Sequence, residues 1–116
     1  MTAFLLVAVG GALGAGVRYL LATHGAARFP WSILVANLVG SFGLGFLLGW
    51  ASPGLALFAG VGFCGALTTF STFALDTLVL AREGRVAASA GNVAASVAGS
   101  VVALIAGLAL AGALGL

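Results

Sequence analysis

Charge is what this chain has least of. Its 116 residues include four arginines, no lysine, one aspartate and one glutamate, so 5% are charged and the net charge is +2. A water-soluble domain of that length could not cover its apolar surface with six ionised side chains, so a soluble globule is excluded. The basic excess is also too small to point to nucleic acid. The one cysteine, Cys64, excludes an internal disulfide and reads as a small buried helix residue. The one histidine, His24, has no cysteine or carboxylate at ligand spacing, which argues against a metal centre built on it. There is no Ser/His/Asp grouping, no phosphate-cradling glycine loop and no pair of carboxylates, so no catalytic machinery is legible.

What remains is apolar. Hydrophobic residues make up 63% of the chain and the mean hydropathy is +1.31. The class that fits is a single integral membrane domain over residues 1–116. Four apolar segments are predicted as spans, at 3–22, 31–50, 55–81 and 86–115. A span needs roughly 20 residues at about 1.5 Å rise each. The first two fit, while the third and fourth are long enough to be tilted or broken. The first segment lacks a basic leader and outruns a signal-peptide core, so it reads as a span. Trp31 and Trp50 stand at the two ends of the second, where aromatic belts are expected.

The links are 23–30, carrying His24 and Arg28, then the turn 51–54, then Arg82-Glu83-Gly84-Arg85. Both arginine-bearing links share one side of the membrane, and the positive-inside rule puts them in the cytoplasm. Glycine is abundant, at 19 residues, and the pairs Gly10/Gly14 and Gly45/Gly49 have the spacing that brings helix backbones together in lipid.

Polarity is concentrated in the third segment. Gly65-Ala66-Leu67-Thr68-Thr69-Phe70-Ser71-Thr72-Phe73 sets four hydroxyls and two phenylalanines in a stretch otherwise apolar enough to cross a bilayer. A hydroxyl in lipid must find a partner or serve something that passes. Gly65 and Ala66 form a weak point, with Thr68 and Thr69 available to satisfy freed backbone groups. A break at membrane depth is tolerated inside protein or beside a wet cavity, and its unpaired carbonyls suit a hard monovalent cation. Phe70 and Phe73, three apart, share a helix face. Their positive ring edges can meet a small anion, or the pair can simply pack between helices.

In the fourth segment Ser89, Asn92, Ser96 and Ser100 fall at i, i+3, i+7 and i+11. That is one polar stripe on an apolar helix, either a donor ladder beside a permeation path or interhelical hydrogen bonding. Asn37, mid-membrane in the second segment, has the same two readings. Arg18 either opens onto a wet vestibule or snorkels to the headgroups. Asp76, the one carboxylate inside a span, either pairs with an arginine or lies at a pore mouth.

Three runs in order carry a resemblance. They are Gly10-Gly11-Ala12-Leu13-Gly14-Ala15-Gly16-Val17-Arg18-Tyr19, then Leu34-Val35-Ala36-Asn37-Leu38-Val39-Gly40-Ser41-Phe42, then Gly62-Phe63-Cys64-Gly65-Ala66-Leu67-Thr68-Thr69-Phe70-Ser71-Thr72-Phe73. On these motifs, and on length and span count, the chain resembles the Fluc (CrcB) family of small bacterial and archaeal fluoride channels. The resemblance implies an all-α membrane protein with four transmembrane helices per subunit. It implies a third helix broken near its middle and an antiparallel, dual-topology-type dimer in the plasma membrane of the cell. It implies passive fluoride export that lowers the ion's toxicity. The fluoride pathway would fall on Asn37, Phe70, Phe73, Ser71, Thr72, Ser96 and Ser100, with Arg18 and Asp76 in the vestibule. A structural sodium ion at the dimer centre would be held by the backbone carbonyls of Gly65 and Thr68.

Ala66 departs from the family's usual second glycine, Ser96 stands where a larger hydrogen-bonding ring is frequent, and Trp31-Ser32-Ile33 replaces the usual start of the second span. The one-sided arginines leave two partners open, an identical chain or an oppositely inserted homologue. Two rival functions are weaker. A small multidrug-type proton-coupled exporter needs a glutamate in the first span, and this one has none. A non-transporting membrane scaffold would explain the glycines but not the Phe-Ser-Thr-Phe register together with the serine stripe.

Overall fold

The computed structural model describes residues 1–24 and 28–116; residues 25–27, the middle of the expected 23–30 link, lie outside the described residues. Among the described residues every regular element is helical. Helix α1 is Thr2–His24, α2 is Trp31–Leu47, α3 covers residues 53–67, α4 is Ser71–Arg82 and α5 is Val86–Ala113. Helices α3 and α4 are halves of one 30-residue apolar stretch, Pro53–Arg82, interrupted between them. That stretch, α1 and α5 are each long and apolar enough to cross a membrane. Helix α2, at 17 residues, is apolar but shorter. The protein is therefore a multi-pass integral membrane protein. Its longest dimension, 47 Å, matches a bilayer of roughly 40–45 Å including headgroups.

Two details depart from the sequence expectation. Helix α2 stops at Leu47 because the chain turns over Leu48–Trp50, where Gly49 takes φ +94°, a left-handed conformation that favours glycine. Gly49 has open space around its Cα, so it ends a helix and does not form a packing pair with Gly45. Pro53, expected in the turn, instead opens α3 at the helix-start position. Ser52 caps that end, its Oγ accepting from the Leu55 N–H at 3.3 Å.

The middle of α3, Ala56–Cys64, is wound as a π-helix, a rare geometry that tends to mark functional sites. Helix α1 lies along it. A Cβ on Gly10 would run into the Phe58 carbonyl, and one on Gly14 into that of Phe63. In return a Cβ on Gly62 would stand 2.9 Å from the Val7 carbonyl. Helices α2 and α5 form the second close pair, where Gly45 meets the Leu104 backbone and Gly107 meets Phe42 and Phe46. Small residues allow this approach, and in lipid such packing replaces a hydrophobic driving force. At one end of the bundle the Arg85 guanidinium donates to the Arg28 carbonyl, tying the α1–α2 link to the α4–α5 link. The result is a thin slab, 32 by 19 Å across its long axis.

Candidate functional site

The interruption of the third span falls at Thr68–Phe70, three residues beyond the weak point expected at Gly65-Ala66. Thr68 is extended, with φ −79° and ψ +152°. Helical bonding fails here because another group takes it over. The Thr69 N–H donates to Asn37 Oδ1 at 2.7 Å, and Asn37 Nδ2 donates to the Thr69 carbonyl at 3.1 Å. One side-chain amide thus satisfies both backbone groups of the residue at the break, as buried peptide groups require. Asn37 itself is buried and keeps one further N–H of its own.

Hydroxyls close the two helix ends. Thr68 Oγ1 donates back to the Cys64 carbonyl at 3.0 Å and, more weakly, to that of Gly65 at 3.3 Å. Thr69 Oγ1 accepts from the Thr72 N–H at 3.3 Å and donates to Thr72 Oγ1 at 3.2 Å. The carbonyl end of α3 and the N–H end of α4 therefore meet at one place. Such ends carry partial negative and partial positive charge respectively, suited to a cation on one side and an anion on the other.

An open groove of about 470 Å³ runs beside the break. It brings together Asn37, Phe70, Phe73, Ser96 and Ser100, with Gly65 and Thr68 at its wall and Ser41 and Thr69 beside them. The Phe70 and Phe73 rings stand 5.7 Å apart at 55°, and Phe70 is 78% exposed. Ser71 is exposed and lies outside this lining, 3.4 Å from Thr69 Oγ1. Thr72 lies outside it too, but it lines two further hollows. One, of about 520 Å³, holds Asp76 together with Arg28, Glu83 and Arg85. The other, of about 360 Å³, holds Arg18 and Tyr19. Ala22, Ile33 and Thr72 belong to both, so the hollows of Arg18 and Asp76 adjoin. The Thr72–Thr69 hydroxyl contact links a residue of those hollows to one of the groove.

The serine stripe divides. Ser89 and Asn92 are buried against α4, where Ser89 Oγ donates to the Thr77 carbonyl and Asn92 Nδ2 to Thr77 Oγ1, both at 2.9 Å. Ser96 and Ser100, further along, line the groove. The stripe is helix glue at its start and lining at its end. Thr77 went unread in the sequence. Its one signal is its position four residues after Phe73, where a helical threonine can bond back to the carbonyl of the preceding turn, and it does so at 2.8 Å.

Residues 5–108 match the family model described as CrcB-like protein, Camphor Resistance (CrcB). The fluoride-specific ion channel FluC 1 of Nocardia farcinica is 48% identical over 110 residues, covering 90% of this chain and 78% of that protein. The fluoride-specific ion channel FluC of Nitrobacter winogradskyi is 44% identical over 117 residues, covering 92% and 93%. That of Roseobacter denitrificans is 42% identical over 118 residues, covering 93% and 94%.

Proposed function

The chain belongs to the CrcB-like protein family, and from that premise we propose that it is a fluoride-selective channel, which lets fluoride leave the cytoplasm passively through the plasma membrane. The observation that carries this reading is the placing of Thr72, which lines both the Arg18 hollow and the Asp76 hollow and is hydrogen-bonded to Thr69 in the wall of a groove edged by two phenylalanines. Fluoride is small and holds its water tightly. A pore for it must offer replacement donors at each step without trapping the ion. The serine and threonine hydroxyls, the remaining Asn37 N–H and the ring edges of Phe70 and Phe73 are donors of that weak kind. No arginine lines the groove. Arg18 at the mouth would attract the anion without holding it in the narrow path.

The conducting unit is a dimer in this reading. The groove is open along one side, and the hydroxyls and amide that line it are poorly suited to acyl chains. A second subunit inserted in the opposite sense closes the groove and gives the inverted symmetry found in many transporters. An identical chain is the simplest partner, and an oppositely oriented homologue is the alternative suggested by the one-sided arginines. The dimer centre would hold sodium through the carbonyls of Gly65 and Thr68. The donor set fits: among the described residues the Thr68 carbonyl accepts no hydrogen bond and that of Gly65 only the 3.3 Å hydroxyl contact. Neutral oxygens of this kind are what a hard cation takes. Sodium there would supply fixed positive charge beside the anion path.

Liposomes loaded with fluoride and carrying the purified protein test the function. With a potassium ionophore clamping the voltage they should empty of fluoride, while chloride-loaded liposomes stay full. Equal loss of chloride would remove the assignment.

A further inference from the structure

Behind the groove lies a chain of hydrogen bonds whose protons all point one way. Ser96 Oγ donates to Asn92 Oδ1, Asn92 Nδ2 donates to Thr77 Oγ1, and Thr77 Oγ1 donates to the Phe73 carbonyl. Both ends touch the groove, at Ser96 and Phe73, while Asn92 is 2% exposed and does not line it. The directions matter. Ser96 has one proton, and with that proton on Asn92 it turns only lone pairs toward the groove, which repel an anion. To serve fluoride the hydroxyl must rotate and release Asn92. The links differ in strength in the way this needs. The two inner bonds are 2.9 and 2.8 Å, whereas the Ser96–Asn92 contact is 3.4 Å, beyond the usual hydroxyl range. The chain is firm where it meets the Phe73 backbone and loose where it meets the ion path.

We propose that Asn92 is a positioning residue for conduction. Through Thr77 it fixes the backbone that carries the Phe73 ring, and through Oδ1 it is a competing acceptor that draws the Ser96 proton back after each ion passes. Asn92 acts on fluoride only through Ser96 and Phe73. The proposal rests on the fluoride reading above. Its physical content is that a donor with somewhere else to go releases its ion, whereas an unopposed donor holds it too long.

Asn92→Leu and Thr77→Val each break the chain, and Thr77→Ser preserves it. The test is fluoride efflux from liposomes, expressed per assembled dimer, as a function of fluoride concentration. Asn92→Leu and Thr77→Val should lower the maximum rate roughly tenfold, the scale of one net hydrogen bond. Asn92→Leu should lower the half-saturating fluoride concentration as well, because Ser96 then has no rival acceptor, whereas Thr77→Val keeps Asn92 Oδ1 and should leave that concentration in place. Thr77→Ser should behave as wild type, and the double variant should be no slower than either single one. A purely structural role would lower the amount of assembled protein and leave the half-saturating concentration of Asn92→Leu where it was, which overturns the proposal. Failure of both variants to assemble assigns the chain to folding and also overturns it. A wild-type protein that passes no fluoride is a different result and defeats the channel reading itself.

Discussion

Asn37 and Thr69 face each other as two peptide groups do across a β-ladder, the side-chain amide of one exchanging both hydrogen bonds with the backbone of the other, at 3.1 and 2.7 Å. They lie on different spans, so this pairing fixes the broken third span against α2. It places Asn37, Thr69 and the Phe70 and Phe73 rings around one groove.

Asn37→Asp follows from that pairing. The carboxylate keeps the acceptor for Thr69 N–H but sets an anionic oxygen against the Thr69 carbonyl and adds a like charge to an anion path. Fluoride efflux should fall at least tenfold, about 1.4 kcal/mol or more at the barrier. Asn37→Ala should instead destabilise the protein by about 1–3 kcal/mol through its orphaned partners, read as a lower midpoint of thermal unfolding in detergent. Retained throughput in Asn37→Asp would put Asn37 outside the ion path.

The phenylalanines make a second test. Phe70→Ile and Phe73→Ile keep apolar bulk and remove the polarised ring edge. Each should reduce fluoride efflux sharply while the protein still elutes where the wild type does. Full flux in both would show that the rings only pack.

If sodium binds at the Gly65 and Thr68 carbonyls as proposed, it should stabilise the folded protein by mass action, about 2.7 kcal/mol when sodium is near 100 times its dissociation constant. Thermal unfolding in sodium chloride should therefore lie above that in choline chloride of equal ionic strength, and adding sodium back should restore it. Identical midpoints in the two salts would leave those carbonyls without a cation.

Helix contact supplies a fourth prediction. In Gly107→Ala the new methyl would meet the Phe46 amide nitrogen at 2.7 Å, and in Gly14→Ala it would stand 3.0 Å from the Phe63 carbonyl carbon and closer still to its oxygen. Each should cost about 1–3 kcal/mol by overpacking. Gly16→Ala, which meets nothing within 4 Å, should leave the unfolding midpoint in place. Equal behaviour of all three would mean that α1 and α5 do not sit on their neighbours at these glycines.

Much of the fold was legible because lipid leaves the chain few choices. Runs of apolar residues, their length and the polar links between them mark the helices, and Gly10 and Gly14 show their contact role through spacing alone. Gly49 misled, since four-residue spacing cannot distinguish a helix contact from a helix end. The groove was foreshadowed by Phe70, Phe73, Ser96 and Ser100. The exact break was not, because it depends on Asn37 reaching Thr69 from a different span, 32 residues away. Thr77 escaped for the same reason. Its hydroxyl gains meaning only from Asn92, which no local pattern brings near. The π winding of Ala56–Cys64 left no trace in a run of small and apolar residues.

That winding makes the chain unequally tolerant of changes in length. Bonds that reach back five residues accommodate one residue more than an α-helix covering the same distance. A deletion between 56 and 64 can be absorbed by rewinding to the ordinary form, with Thr69 still opposite Asn37. A deletion early in Val86–Ala113, which is regular throughout, has no such slack. It would swing everything beyond it by about 100° and carry Ser96 and Ser100 off their face. Evolutionary gaps among related chains should therefore collect in the third span before its kink and be rare in the fourth.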